Sequence, residues 1–374
     1  MPSKKIRFCT YEVEAVDIDR FFVSFLDLNE PPDLILLGYN PEYRRYLQDG
    51  RYKGANVVSS AWKSIEEIAG ILRENRIDLV MVCAHRIPDI HVILAARMAG
   101  CRISYLQHGM YIPFMKRTLG FFVAKLKKTA LYLKYSLDIG RHKGGLKLTS
   151  DLFRIHVLGR DRTPLGIHKE MFPDRAAVFS DYWGRWHETH YAFPEGSWFS
   201  MGTPDFRRYS FGPARSDDVV AYCYQTLVED GRIAWSVMES FYQDLVGWAS
   251  RGGFCLVVKA HPRSKPQYLD WFRSRGIEIV VDHVPNTSKV VGHYSSLLAF
   301  WGIHGRSVLC VRLPGHEIDP SIASWSTVVE RLEDGVSFAP VDREDCLGKF
   351  GQSLSIPELR EKMGLVRAGQ EVVA

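Results

Sequence analysis

The sequence lacks the features that mark a membrane-spanning, secreted or repetitive protein. It contains no window of about 18 uncharged apolar residues, so no transmembrane helix is predicted. The seven cysteines are scattered and form no CxxC pair, which favours reduced, buried thiols over a disulfide framework. The first residues lead directly into a strand-like segment rather than a secretory signal. Solenoid repeats and low-complexity tracts are also missing. Together these absences predict a globular protein of the cytoplasm.

Length and composition limit the number of domains and the class of protein that the chain can form. A chain of 374 residues is long for one hydrophobic core, so we expect two domains. An apolar fraction of 46% and a charged fraction of 24% are ordinary for a globular protein and allow a sizeable core. The formal net charge of +5 is a mild excess, and its meaning depends on where the positive residues lie.

Short apolar runs alternate with segments of helical spacing in both halves of the chain. The runs at 33–38 and 78–83 are typical of strands buried on both faces. The alternation predicts parallel βαβ units and therefore an α/β fold with helices on both sides of each sheet. The polar stretch at 207–218 is interpreted as a linker, so the predicted domains are 1–206 and 207–374.

Three short motifs of the second half follow predicted strands. Because open α/β sheets bind ligands at the carboxyl ends of their strands, the motifs are expected to converge on one crevice. In chain order, the motif residues are Gln225, Glu229, Asp230 and Gly231, then Lys259, His261, Pro262 and Arg263, then Gly292, Ser295 and Ser296.

Each motif alone has an ordinary structural interpretation. Acids stabilise helix N-termini, serines cap helices, and a histidine after a strand is usually structural. In combination they supply a base, an acid and a phosphate clamp. Glu229 or Asp230 could remove a proton from an acceptor hydroxyl, His261 could protonate a departing phosphate oxygen, and Ser295 with Ser296 could hold that phosphate. The implied reaction is displacement at a carbon that bears a nucleotide phosphate.

The order of these motifs also resembles a known family. Gln-x-Leu-Val-Glu-Asp-Gly, then Lys-x-His-Pro, then Ser-Ser resembles the pattern of bacterial sialyltransferases and is most similar to glycosyltransferase family 52, which includes lipooligosaccharide sialyltransferases. The resemblance implies a GT-B fold, in which two Rossmann-like domains face each other across a cleft. It also implies an inverting transfer of a sialic-acid-type nonulosonic acid from a CMP-sugar to a surface glycan such as lipopolysaccharide, lipooligosaccharide or capsule, with no metal or other cofactor.

The resemblance assigns roles by position. Glu229 is implied as the general base, with Asp230 able to substitute, and His261 as the acid. The residues expected around the nucleotide are Gln225, Lys259, Pro262, Arg263, Gly292, Ser295 and Ser296.

The first half offers two further features. His108 and Gly109 follow a predicted strand and are candidates for the acceptor side, although a histidine in a turn is an equal alternative. The segment 115–148 is basic and amphipathic, with Asp138 as its one acid and aromatic residues between the cations. It favours an anionic membrane surface; a solvated basic face is the alternative. Nucleic acid is not expected, because no recognised binding motif accompanies the segment.

The expected partners are therefore a nucleotide-sugar donor and a lipid-linked glycan on the inner face of the cytoplasmic membrane, with a homodimer left open. Two other enzyme classes stay open as well. One is a different GT-B transferase that uses CDP-glycerol or a UDP-sugar. The other is an isomerase similar to nucleotide-sugar 2-epimerases, which would need no acceptor. A non-catalytic basic protein that docks on membranes is the remaining alternative.

Overall fold

The computed structural model describes residues 5–12, 32–38, 55–107, 109–110, 126–156, 169–203, 205–333, 335–351 and 354–365. The chain divides into two compact units. The first unit comprises Met1–Gly109, Pro113–Pro204 and Gly351–Ala374, and the second comprises Met110–Ile112 and Asp205–Phe350.

The first unit is built on a parallel sheet with strand order β3-β2-β1-β4-β5-β6-β7. The chain moves from β1 outward to β3 and then returns to the other side of β1, which is the order of Rossmann-like domains. The strands are β1 (Phe8–Glu12), β2 (Leu34–Leu37), β3 (Asn56–Ser59), β4 (Leu79–Val82), β5 (Arg102–Leu106), β6 (Arg175–Val178) and β7 (Trp198–Ser200). Every residue of β2 and β4 is buried, as the apolar runs predict.

Helices connect these strands where the sequence carries helical spacing and capping residues. The first of them begins with a capping box, in which Ser64 and Glu67 exchange hydrogen bonds between side chain and backbone. The second ends at Gly100, whose φ of 79° suits the left-handed conformation of a helix end. The helices are α1 (Ile65–Glu74), α2 (Ile87–Ala99), α3 (Leu126–Lys143), α4 (Gly145–His156) and α5 (Asp181–Tyr191).

The second unit repeats the same plan. Its main sheet is parallel, with order β11-β10-β9-β13-β14-β15, and β8 pairs with β12 in a separate parallel ribbon. The strands are β8 (Phe211–Ala214), β9 (Val219–Cys223), β10 (Cys255–Lys259), β11 (Glu278–Val280), β12 (Val284–Asn286), β13 (Lys289–Gly292), β14 (Ser307–Val311) and β15 (Thr327–Val329). The helices are α6 (Asp205–Arg208), α7 (Trp235–Arg251), α8 (Pro266–Arg273), α9 (Leu298–Ile303), α10 (Pro320–Ala323) and α11 (Arg343–Phe350).

The last helix, α12 (Ile356–Met363), belongs to the first unit. The Ser104 hydroxyl donates to the Met363 carbonyl at 2.9 Å, and the Arg175 guanidinium donates to the Lys362 carbonyl at 3.0 Å. These bonds join the end of α12 to β5 and β6. The predicted domain 207–374 is therefore wrong at its C-terminal end, because the chain returns to the first unit after Phe350.

Three other expectations need correction. The stretch 207–218, interpreted as a linker, contains part of α6 and all of β8 and belongs to the second unit. The segment from Gly292 to Trp301, with its serine pair, is expected from the sequence to begin a helix at Gly292, but Gly292 ends a strand and α9 begins at Leu298. Six of the seven cysteines are buried thiols as expected, but Cys255 is exposed. The α/β class with two Rossmann-like units, the components of a GT-B fold, is confirmed.

Candidate functional site

The three motifs lie at one edge of the second unit's sheet. The chain runs from β9 to β10 on one side and from β13 to β14 on the other, so the strand order reverses between β9 and β13. Ligands of open α/β sheets bind outside the carboxyl ends of the strands at such a switch point. The first motif follows β9, the second begins at the end of β10, and the third begins at the end of β13.

Direct contacts join the motifs to one another. Arg263 Nη1 lies 3.3 Å from Asp230 Oδ1 and links the second motif to the first. The Lys265 backbone N–H donates to Glu229 Oε1 at 3.3 Å. The Tyr294 backbone N–H donates to Gln225 Oε1 at 3.1 Å and links the third motif to the first. The residues predicted to converge are therefore brought together.

Glu229 is turned toward the interior. Its Oε1 accepts hydrogen bonds from the Tyr224 hydroxyl at 3.0 Å and from the Lys265 N–H at 3.3 Å. Its Oε2 is buried and has no hydrogen-bond partner among the described residues. A buried carboxylate oxygen without a donor is costly. It is thus an acceptor that the hydroxyl or another donor of a ligand would satisfy.

Asp230 is held differently. Its Oδ2 accepts a hydrogen bond from the Thr226 hydroxyl at 3.2 Å, and its Oδ1 pairs with Arg263 at 3.3 Å. Arg232 Nε lies 3.9 Å from Oδ2. Two cations therefore lie against this carboxylate, and its ion pair with Arg263 holds that arginine in the site.

His261 is half-buried, and one of its ring nitrogens is already in use. The Arg263 backbone N–H donates to Nδ1 at 3.1 Å, so Nδ1 is an acceptor. The neutral ring then carries its proton on Nε2. The adjacent Ser264 hydroxyl accepts a hydrogen bond from the His261 backbone N–H at 3.0 Å and stabilises the turn. This arrangement presents an Nε2–H donor to a phosphate oxygen. Transfer of a proton from the ring requires its imidazolium form, in which both ring nitrogens carry protons.

Some predicted nucleotide ligands have structural contacts instead. The Lys259 side chain is buried and its Nζ donates to the Val281 carbonyl at 2.5 Å, which ties the end of β10 to the end of β11. Burial lowers the pKa of Lys259. A Cβ on Gly292 would lie 2.8 Å from Leu298 Cδ2, so packing of α9 explains the glycine. Pro262 is exposed in the turn after β10.

Ser295 and Ser296 lie in a turn before α9 rather than inside the first turn of a helix. The Ser295 hydroxyl oxygen accepts a hydrogen bond from the Leu297 N–H at 3.2 Å. It also lies beside the Cys223 thiol, whose pKa burial raises to about 12. Both serines are half-buried at the same sheet edge as His261. Their predicted role as phosphate ligands stays a prediction.

His293, in the same motif, is a structural histidine. It is fully buried, its Nδ1–H donates to the Val311 carbonyl at 2.8 Å, and its Nε2 accepts from the Tyr222 hydroxyl at 3.1 Å. Burial lowers the pKa of His293 to about 4. One neutral imidazole therefore joins β9, β13 and β14 beneath the site.

The sequence alone assigned no role to four residues that complete the site: Tyr224, Thr226, Arg232 and Tyr294. Tyr224 binds Glu229, and Thr226 and Arg232 lie against Asp230. Tyr294 stacks on His316 with ring centroids 5.6 Å apart, and its hydroxyl lies 3.1 Å from His316 Nδ1. Position was the available signal for three of the four, because Tyr224, Thr226 and Tyr294 lie within three residues of the end of β9 or β13, whereas Arg232 lies nine residues past β9.

Gly231 allows the turn that presents both acids. Its φ is 67°, and nothing lies within 4 Å of where a Cβ would stand. We expect Gly231→Ala to lower the free energy of unfolding by about 1 kcal/mol through backbone strain. Gly231→Asn should cost less, because asparagine tolerates the left-handed region. Gly348→Ala, in open space on α11 without a positive φ, is the matched control. Urea unfolding measures all three, and equal effects at both glycines would contradict the strain.

In the first unit, Gly109 lies just past β5. Its carbonyl accepts a hydrogen bond from the Gln107 side chain at 3.1 Å, and the same side chain accepts from the Phe179 N–H at 2.9 Å. His108 lies outside the described residues. The acceptor-side role of both stays a prediction. In the part of the chain that the structure describes, no cluster of three or more histidine, cysteine or acidic residues could hold a metal ion. The described helices include none long and apolar enough to cross a membrane.

Comparison with protein-family models and with curated proteins finds no match. Solved structures do match along nearly the whole chain. UDP-GlcNAc 2-epimerase from Methanocaldococcus jannaschii has a TM-score of 0.49 at 10% identity, covering 96% of this chain and 99% of its own. The Neisseria meningitidis UDP-GlcNAc 2-epimerase bound to UDP-GlcNAc has a TM-score of 0.46 at 10% identity, covering 96% and 94%. The E. coli ADP-heptose lps heptosyltransferase II has a TM-score of 0.31 at 10% identity, covering 96% and 98%. Because these scores lie below 0.5, the fold assignment rests on the strand order described above.

Proposed function

We propose that this chain is an enzyme that acts on a nucleotide-activated sugar, with the nucleotide phosphate bound at the switch point of the second unit. The supporting observation is the set of direct contacts that gather Glu229, Asp230, His261 and Arg263 at the carboxyl ends of β9 and β10. A buried carboxylate oxygen, a histidine N–H donor and arginine cations are the groups that displacement of a phosphate requires.

In the proposed reaction the sugar carbon bonded to the donor phosphate is attacked by an acceptor hydroxyl. The new carbon–oxygen bond forms as the bond to the phosphate oxygen breaks. Glu229 takes the proton of the acceptor hydroxyl, and His261 in its imidazolium form gives its Nε2 proton to the departing phosphate oxygen and becomes a neutral imidazole. Arg263 offsets the negative charge that develops there. Glu229 is favoured over Asp230 as the base because Asp230 is already paired with Arg263.

The finer assignment follows the motif resemblance. The donor is proposed to be a CMP-activated nonulosonic acid and the acceptor a lipid-linked surface glycan at the inner face of the membrane. The order of acidic pair, histidine and serine pair along the chain is the feature that supports a CMP-sugar over CDP-glycerol or a UDP-sugar.

A nucleotide-sugar 2-epimerase reaction is the second candidate. Glu229 Oε2 is buried rather than open to solvent, which suits removal of a proton from the bound sugar itself. In that reaction the C2 proton and the C1–phosphate bond are lost, and both are restored with C2 inverted. Two of the matching structures described above are named for this activity on UDP-GlcNAc.

One experiment separates the two reactions. Thermal unfolding is followed with CMP, CDP, UDP and their sugar conjugates, and turnover is then measured in D2O with and without acceptor glycan. Stabilisation by CMP, with donor consumption that depends on acceptor, is the expected result. Stabilisation by UDP alone, with deuterium incorporated at C2 in the absence of acceptor, would replace the transferase with the epimerase. No stabilisation by any nucleotide would overturn both.

Arg263 supplies the test of phosphate binding. We expect Arg263→Gln to weaken binding of the stabilising nucleotide at least about tenfold, since a hydrogen bond to a charged group contributes about 1.5–3 kcal/mol. Arg273→Gln is the matched control, because Arg273 is an exposed arginine of α8 in the same unit that pairs with Asp270. Titration calorimetry measures both. Equal affinities for the two variants would remove Arg263 from the phosphate site.

A further inference from the structure

The solvent-facing side of α3 and α4 exposes leucines where a soluble helix normally presents charge. Leu133 and Leu137 on α3 are 42% and 37% exposed, and Leu146 at the start of α4 is 82% exposed. The opposite side of α3 is buried through Leu131, Tyr135 and Ile139. The two leucines on α3 are therefore an apolar stripe with no protein partner packed over it in the described chain.

Two packed neighbours flank this stripe. Lys134 Nζ donates to the Lys63 carbonyl at 2.8 Å, which places the 60–63 loop on one side of α3. The Thr149 hydroxyl donates to the Ser136 carbonyl at 3.2 Å, which places α4 on the other side. At about 100° per residue, Leu133 and Leu137 project between these two directions. The stripe thus lies between the 60–63 loop and α4.

The 60–63 loop presents a tryptophan in a strained conformation. Trp62 has a φ of 67° and is 49% exposed. The Tyr135 hydroxyl donates to the Ser60 carbonyl at 3.2 Å, so the loop is anchored to α3. A bulky side chain at positive φ is a rare and unfavourable arrangement. An exposed indole kept at such a position, on a loop that is bonded to α3, points to a role that burial in this chain does not supply.

The exposed charges carried by α3 and α4 themselves have one sign, whereas the exposed acids nearby belong to other elements: Glu66 pairs with His142 at 2.8 Å, and Glu170 pairs with Lys143. Among the described residues of α3 and α4, the exposed charged side chains are cations: Arg141, Lys147 and Arg154. Asp138 is buried and accepts a hydrogen bond from His91 Nε2 at 2.8 Å. The remaining acid of these helices, Asp151, is only half-exposed. Exposed apolar side chains, an exposed tryptophan and the cations of α3 and α4 match the chemistry of an anionic bilayer surface.

We propose that Trp62, Leu133, Leu137 and Leu146, with Arg141 and Lys147, form a lipid-docking surface for anionic phospholipid. The four apolar side chains enter the boundary between headgroups and acyl chains, and the cations contact lipid phosphates. The sequence predicted membrane contact through the whole segment 115–148. The proposed surface uses only residues from the described part of that segment, together with Trp62. It does not depend on which nucleotide sugar the second unit binds.

Flotation of the full chain with vesicles tests the surface. Vesicles of phosphatidylcholine alone are compared with vesicles containing phosphatidylglycerol, at low and high salt. We expect binding to the anionic vesicles that falls at high salt. The variant Trp62→Asn with Leu133→Gln, Leu137→Gln and Leu146→Gln should lose at least about tenfold in affinity, because membrane affinity scales with buried apolar area. Arg141→Glu with Lys147→Glu should also lose binding.

The control variant is Met98→Gln with Val281→Gln, which removes two apolar side chains that are exposed elsewhere. It should bind vesicles as the parent does. Thermal unfolding and gel filtration accompany each variant. If the four-residue variant floats as well as the parent, the docking surface is overturned, even where the parent binds lipid through another segment. A change from dimer to monomer with unchanged flotation would assign the same residues to a protein interface and overturn the lipid assignment.

Discussion

Replacing His261 with alanine should slow turnover of the nucleotide sugar by at least about a hundredfold, the loss expected when a general acid is removed. The imidazole presents an Nε2–H because its Nδ1 already accepts the Arg263 N–H at 3.1 Å. Initial rates at saturating donor measure the effect. Nucleotide binding should weaken far less than turnover, because the arginine cations remain in the site.

Two variants separate proton transfer from turn geometry. His261→Asn keeps an acceptor close to the position of Nδ1 and removes the Nε2–H, so it should be as slow as alanine. His190→Ala removes an exposed histidine that stacks on Trp186 in the first unit, and it should leave the rate unchanged. If His261→Asn retained most of the parent rate, the histidine would be a positioning residue for Arg263 and not the acid.

Acidification should destabilise the second unit through His293. The pKa of this buried histidine is lowered to about 4, whereas the unfolded value is about 6.5. Above pH about 6.5 the ring is neutral in both states and its contribution to stability is fully present. As the pH falls from about 6.5 to 4, only the unfolded chain takes up the proton. The free energy of unfolding therefore falls by about 1.4 kcal/mol per pH unit, or about 3 kcal/mol in all.

Urea unfolding between pH 7.5 and 4.5, followed by tryptophan fluorescence, measures this loss. His293→Gln should be less stable than the parent at pH 7.5, because packing and hydrogen bonds to Tyr222 and Val311 are disturbed, but its stability should depend less on pH. Tyr222→Phe removes the hydroxyl donor and keeps the histidine buried, so it should keep the steep dependence. If the free energy of unfolding depends on pH equally in the parent and in His293→Gln, another group is responsible for the acid sensitivity.

The sequence predicted the α/β class and most strands of the two sheets because buried parallel strands are continuous apolar runs. It missed β13, a strand of four residues at the centre of the second sheet, since Lys289–Gly292 contains two valines and no longer apolar run. Because this strand was not predicted, the helix that follows it was expected to begin at Gly292 instead of at Leu298. The residues of a short segment do not show that two distant strands will pair with it, as β9 and β14 pair with β13.

The sequence predicted where the candidate site lies, but it did not predict how the side chains of the site are arranged. Strand-end position correctly gathered the acidic pair, His261 and Arg263. It could not show that Lys259 bonds the Val281 carbonyl, because residue type does not reveal which backbone carbonyl lies nearby. The different surroundings of Glu229 and Asp230 were equally hidden, since they depend on Tyr224, Thr226 and Arg263 in three dimensions.

The return of α12 to the first unit has a consequence for synthesis of the chain. The second unit is almost continuous in sequence, from Asp205 to Phe350, so its sheet can form once that stretch has left the ribosome. The first unit begins earlier but receives the partners of Ser104 and Arg175 only after residues 362–363 emerge. Domains usually fold in the order of their synthesis. Here the unit that is translated first is the one completed last.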